Sequence, residues 1–168
     1  MTDVTRSGES DPNSVRRVLA IDAPPDIAWE VFTREMGSWW PLAMYKIGKT
    51  SAVDAVVEPR VGGRWYERDD DGSTCDWGRV LVWEPPTRLV LSWDITADWQ
   101  YDPELQTEIE ALFVRDGGGT RLEFEHRRLD RYGERRDQMR EIFDKTGDWG
   151  RLLGGFAQKA ADAAKAAQ

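Results

Sequence analysis

The sequence predicts an α+β fold: an antiparallel sheet with a long C-terminal helix and two short helices after the first strand. Three observations predict it. Six candidate strands follow one another through short turns rich in Gly, Pro and Asp, the spacing of antiparallel neighbours. Helical periodicity is confined to a segment after the first strand and to the C-terminal part. The length, 168 residues, fits one domain.

The elements follow in order. Residues 1–13 are polar with Gly, Ser and Pro, and are expected to be a disordered tail ahead of a single domain over 14–168. Val15–Ile21 is β-branched and aliphatic, a first strand. Pro24-Pro25 breaks it and opens a short helix, since proline at a first helical turn forfeits no hydrogen bond. Ile27, Trp29, Val31 and Phe32 belong to that helix, which ends near Gly37. The period then turns to strand at Ser51–Val57, Arg64–Arg68 and Thr74–Glu84. Asp69-Asp70-Asp71-Gly72 between the last two has hairpin chemistry, because Gly supplies the positive φ. Pro85-Pro86 turns the chain into Arg88–Ile95, where Leu89, Leu91, Trp93 and Ile95 share one face. A polar loop over 96–106 holds Trp99. Glu108–Val114 and Thr120–Arg128 pair through Asp116–Gly119. In the second of these, Leu122, Phe124 and His126 point inward. Glu134–Lys145 reads as a charged helix. Gly147–Ala167 reads as the long terminal helix, with Trp149, Leu152, Leu153 and Phe156 on one face.

Composition excludes several function classes. There are 23 Lys and Arg against 31 Asp and Glu, a net charge of −8. That balance argues against nucleic acid and anionic membrane surfaces as partners. Apolar runs are far too short for a membrane helix, and the polar start carries no secretory signal. The single cysteine, Cys75, forms no internal disulfide, so the expected location is the cytoplasm. Leu, Ile, Val and Phe make up only about a fifth of the chain, whereas there are 9 Trp. The core is therefore built on aromatics.

The order of motifs resembles the START-like helix-grip fold, the SRPBCC superfamily. Within it, the chain is similar to homologues of the activator of the ninety-kilodalton heat-shock protein's ATPase. The residues that carry this span Val18 to Phe156. They are Pro25-Asp26-Ile27-Ala28-Trp29, then Trp39-Trp40, then Glu58-Pro59-Arg60-Val61-Gly62-Gly63-Arg64-Trp65, the most specific stretch. Gly78-Arg79-Val80, Pro85-Pro86-Thr87-Arg88-Leu89 and Trp93 follow. Gly119-Thr120-Arg121-Leu122, Glu125-His126 and Gly147-Asp148-Trp149 complete the series. The resemblance implies a curved antiparallel sheet wrapped around and gripping the long C-terminal helix, with a cavity between them that admits apolar ligands. Eukaryotic relatives add a second, chaperone-binding domain. One domain alone does not support a chaperone partner, and the resemblance carries over no catalytic residue.

Direct tests for chemistry narrow the candidates. His126 is the one histidine; it could anchor a ligand or act as a general base, although a hydrogen-bonded core histidine is the commoner case. No nucleophile elbow is present. Cys75 reads as a strand residue, not a nucleophile. One Cys and one His exclude a Cys/His zinc site, and the Asp-rich hairpin lacks a calcium loop, so it reads as solvated. Gly48-Lys49-Thr50 lacks the strand, Gly-rich cradle and helix of a phosphate loop.

The leading expectation, built on the cavity that the resemblance implies, is a small hydrophobic or aromatic ligand between sheet and helix, with no cofactor, no metal and the homodimer left open. Trp40, Trp65, Trp77, Trp93, Phe113, Phe124, His126, Trp149 and Leu153 are the candidate ligand-binding residues. The alternatives are a cyclase- or hydrolase-type enzyme using His126 and a chaperone-associated interaction module. Beyond Trp29, Trp40, Trp65, Trp93 and Trp149, which build the shared core, ligand specificity is sought first at Trp39, Trp77, Trp83 and Trp99.

Overall fold

The computed structural model describes residues 11–144 and 148–168. Residues 1–10 of the expected tail, Lys145 at the end of the expected charged helix, and Gly147 of the motif series lie outside the described residues.

Seven strands form one antiparallel sheet: β1 Val15–Ile21, β2 Ala52–Val57, β3 Arg64–Asp69, β4 Thr74–Glu84, β5 Arg88–Trp93, β6 Thr107–Asp116 and β7 Gly119–Arg127. The order is β1-β7-β6-β5-β4-β3-β2, a meander from β2 to β7 with β1 added beside β7. The sheet curls into a half-barrel around a long helix, the helix-grip arrangement.

After β1 comes one α-helix, α1 (Pro25–Phe32), and then a three-residue 3-10 turn, Met36–Ser38. The second of the two expected short helices is therefore a single tight turn, because Gly37 and Pro41 stop it from extending. Pro25 sits in the first turn of α1, and Ala28, Trp29, Val31 and Phe32 are buried. After β7, a 3-10 stretch (Leu129–Arg135), kinked within by Gly133 at φ +61°, leads into α2 (Arg136–Asp144). The terminal helix α3 runs Asp148–Ala166. It buries Trp149, Leu152, Leu153, Phe156 and Ala160, spacings of three and four residues that place them on one stripe. Residues 11–13, inside the expected tail, meet α2: Arg136 bonds the Asn13 side chain and Arg140 the Asp11 carbonyl.

The core divides into two aromatic ends. At the α1 end, Trp29, Phe32, Trp39, Phe113 and Phe156 make edge and tilted contacts at 5.1–5.5 Å. At the other end, Trp40, Trp65, Trp77, Trp93 and Trp149 meet at 4.9–6.1 Å. Rings at such spacings interact through their quadrupoles, adding about 1 kcal/mol per pair to area burial. The indoles do the work that missing Leu and Ile would do elsewhere.

Candidate functional site

A cavity of about 450 Å³ opens at the second aromatic end, between the sheet, α2 and α3. Trp77 comes from β4, Trp93 from β5, and Ile95 and Trp99 from the β5–β6 loop. Ile142 and Phe143 come from α2, Trp149 and Leu152 from α3. The segment between the 3-10 turn and β2 supplies Trp40, Met44, Tyr45, Lys46 and Ile47. Met44 and Trp99 are 55% and 46% exposed, so they mark where the cavity meets solvent. Trp99 also holds φ +61°, a conformation costly for a bulky residue and kept here at the cavity mouth.

A bulge aims Trp77 inward. Trp65 pairs with Gly78, but Tyr66 pairs with Asp76, leaving Trp77 as the extra residue of β4. The bulge re-aims that side chain and buries two consecutive residues, Trp77 and Gly78. A Cβ on Gly78 would stand 1.8 Å from the Ser92 carbonyl oxygen, so the strands meet this closely only at glycine.

Of the nine candidate ligand-binding residues, Trp40, Trp77, Trp93 and Trp149 line the cavity. The other five are packed behind it. Trp65 is buried behind Trp40 and Trp77, its indole N–H directed at Met36 Sδ at 3.2 Å. Phe113 belongs to the α1 end, against Trp29 and Phe32. Phe124 lies against Trp149 at 4.7 Å, and Leu153 is fully buried in the core. Of the four tryptophans where specificity is expected, Trp77 and Trp99 line the cavity. Trp39 bonds the Val31 carbonyl within the core, and Trp83 packs on Trp29.

His126 points inward as the alternation of β7 predicts, but it stops short of the cavity. Phe143 and Trp149 cover it, with ring centroids at 4.5 and 5.8 Å. Trp149 Nε1–H donates to Nδ1 at 3.1 Å. An indole only donates, so Nδ1 is unprotonated and Nε2 carries the hydrogen. Nε2–H then donates to Thr107 Oγ1 at 3.0 Å, and the Thr107 hydroxyl donates to the Trp93 carbonyl at 2.8 Å. Burial drives the imidazole down to about 3. Both nitrogens are committed, so His126 ties β7 to α3, β6 and β5 instead of offering a base to the cavity. A second tie is Tyr132, whose hydroxyl donates to the Ile95 carbonyl at 2.7 Å and accepts from Trp93 Nε1 at 3.1 Å.

The Asp-rich hairpin is solvated only at its tip. Gly72 takes φ +87° as the turn requires, but Asp69 is buried. The reason is strand alternation: Trp65, Glu67 and Asp69 share the inward face of β3. The pattern was available in the sequence once Trp65 was taken as core. Glu67 is buried and accepts from Trp77 Nε1 at 3.0 Å, from Ile47 N at 2.7 Å and from Gly48 N at 3.0 Å. Ligating atoms of Glu67, Asp69 and Cys75 lie within 4.8 Å of one another. As a cation site the set is poor. Three N–H donors already occupy Glu67, Lys46 supplies a positive charge nearby, and burial with the adjacent acids pushes the Cys75 thiol up. Thiolate, the form that binds metal, is thereby disfavoured.

The comparisons with known proteins agree with this architecture. Residues 22–158 match the family model of the Activator of Hsp90 ATPase homolog 1-like proteins. An anthrahydroquino-γ-pyrone synthase, Txn09, is 35% identical with a TM-score of 0.61, over 89% of this chain and 99% of that one. CalC, a self-sacrificing resistance protein of Micromonospora echinospora, is 28% identical with a TM-score of 0.67, over 90% of this chain and 96% of that one. A protein of Nitrosomonas europaea at 16% identity, TM-score 0.65, covering 90% and 96% of the two chains, shares the fold. A search of curated proteins finds no match. No helix among the described residues is long and apolar enough to cross a membrane. The chain belongs to the Activator of Hsp90 ATPase homolog 1-like family.

Proposed function

We propose that the protein binds a small, flat aromatic molecule in the cavity between the sheet and the C-terminal helices. The observation that carries this is the wall: Trp40, Trp77, Trp93, Trp99 and Trp149 around about 450 Å³. That volume lies in the range of small-molecule sites, roughly 300–1,000 Å³. Indole faces favour a planar π-system, stacked or edge-on. The ring nitrogens of Trp40, Trp77, Trp93 and Trp149 already donate within the protein. The wall therefore presents apolar faces and few free donors, which suits an apolar ligand body. The likeness to Txn09, named for a fused-ring product, supports the same ligand class.

A ring-closing enzyme is the second reading, favoured by the 35% identity to a synthase. On this reading His126 is not the base, since its nitrogens are committed behind Trp149. Lys46 and Tyr45, both on the wall, are the titratable groups that reach bound substrate. The apolar interior gives the chaperone-associated reading no comparable support.

The test is equilibrium titration with N-phenyl-1-naphthylamine, a neutral aromatic probe, followed by displacement with an anthraquinone. Saturable one-to-one binding with competitive displacement is expected. Absence of saturable binding up to the probe's solubility overturns the reading.

A further inference from the structure

The wall segment from Trp40 to Thr50 contains no regular helix or strand. Its four central residues, Met44 to Ile47, face the cavity. Glu67 pins it to the sheet by accepting the backbone N–H groups of both Ile47 and Gly48. Gly48 is pressed against the same spot. A Cβ there would lie 2.0 Å from Asp69 Oδ2 and 2.7 Å from Glu67 Oε2, so the segment approaches the carboxyls this closely only with glycine. Lys46 completes the contact by donating to the Gly48 carbonyl.

Asp69 is the anomaly in this arrangement. It is 1% exposed, and neither of its carboxyl oxygens has a hydrogen-bond donor from the protein. A buried carboxylate without donors is costly. The Glu67 carboxyl is its neighbour on the same inward face of β3, with ligating oxygens of the two within 4.8 Å. One proton placed between the two resolves the anomaly: Asp69 becomes the donor and Glu67 stays the ionised acceptor of three N–H groups.

We propose that Glu67 and Asp69 share a single proton, and that this proton is a catch holding the 44–50 segment closed over the cavity. Loss of the proton puts two carboxylates in contact under burial, and the segment that leans on both is released. The idea rests on the cavity being the ligand site, and adds proton-linked control of access to it. Binding of a ligand that rebuilds the wall then takes up a proton, by the reciprocity of linked equilibria.

The surrounding charges agree. Lys46 from the segment lowers Asp69, whereas Glu67 on the same strand and Asp71 from the hairpin raise it. Cys75 faces the pair from β4 as a neutral thiol raised by burial. Burial first, then the Glu67 contact and charge, carry Asp69 up to about 6. Glu67 moves the other way. Burial would raise it, but Asp69, the Ile47 N–H, the Trp77 indole and the Gly48 N–H together hold it below the ordinary range. A pair split in this way holds one proton across mildly acidic pH.

Amide hydrogen exchange of Ile47 and Gly48, followed by NMR on the full chain from pH 5 to 7.5 and corrected for intrinsic exchange, tests the proposal. Protection of both amides is expected to fall about tenfold or more, the effect of one pKa unit of coupling. Asp69→Asn, which keeps a neutral donor facing Glu67, is expected to hold protection constant with pH. Constant protection in the wild type overturns the proposal, as does the same loss in Asp69→Asn. If the variant does not fold, carboxyl carbon shifts of the wild type decide: one proton between the two groups at pH 5 supports the catch, and two ionised carboxylates refute it. These readouts use no ligand. Failure of the neutral probe to bind would therefore sink the cavity reading separately, whichever way the amides answer.

Discussion

At the scale of single residues, His126 and Asp69 are buried ionisable groups with opposite effects on stability. His126 is driven down to about 3 in the fold from an ordinary 6.5. Its contribution is full above 6.5 and is lost as pH falls toward 3. Asp69 is raised to about 6 from 3.8. Its contribution is full below 3.8 and is gone once pH has risen through 6. Between these values the slopes oppose and the wild type is flattened. Chemical denaturation of Asp69→Asn from pH 4 to 6 is predicted to give stability that rises with pH. His126→Leu, over the same range, is predicted to give stability that falls. That variant also strands the Trp149 N–H and breaks the link to Thr107, at a cost of about 2 kcal/mol at neutral pH. The alternation of β7 told the sequence reader that His126 points inward. Nothing local said that Phe143, seventeen residues later, would cover it, so its commitment to the core had to come from tertiary structure.

At the scale of elements, the bulge in β4 and the bend of the 40–50 segment set the site. Gly78→Ala drives a Cβ against the Ser92 carbonyl oxygen, which lies on backbone and cannot swing aside. Thermal or urea unfolding is expected to show a loss of about 3 kcal/mol. Near-normal stability would mean the β4–β5 approach relaxes easily. Strand limits were legible where turn residues bound the segment: Val15–Ile21, closed by Asp22 to Pro25, and Thr74–Glu84, between Gly72 and Pro85, match the sequence reading at both ends. The faces of Trp65 and Trp77 were not legible. A bulge shifts the two-residue period by one, and the sequence carries no mark of it beyond a Trp-Gly pair. The 40–50 segment was harder still, since its partner Glu67 lies nineteen and twenty residues away. A polar Gly-Lys-Thr stretch drew notice as a degenerate phosphate loop, whereas its glycine serves close packing on a carboxyl pair.

At the scale of the whole molecule, the outer face of the sheet is laced with ion pairs. Arg127 reaches Glu108, Glu110 and Glu125, and Arg88 reaches Glu110. Such partly exposed pairs contribute little each, and they keep that face polar. The indoles concentrate inside, and the cavity they wall is the feature a family-wide fold turns to this chain's own purpose. Fold and family were legible from motif order, because motifs such as Pro25 to Trp29, Gly62-Gly63 and Gly78 sit at a helix start, a turn and a close strand approach that the topology demands. The division of the tryptophans between packed core and cavity wall was not, since an indole fills either role with the same periodicity. The most direct measurement compares binding of N-phenyl-1-naphthylamine to the wild type and to Leu152→Trp, which fills the cavity from α3, with melting curves confirming that both are folded. Saturable binding by the wild type that weakens at least about tenfold in the variant, roughly 1.4 kcal/mol, is the predicted result. Equal binding by the two proteins, or none by the wild type, would contradict a ligand site between the sheet and the helices.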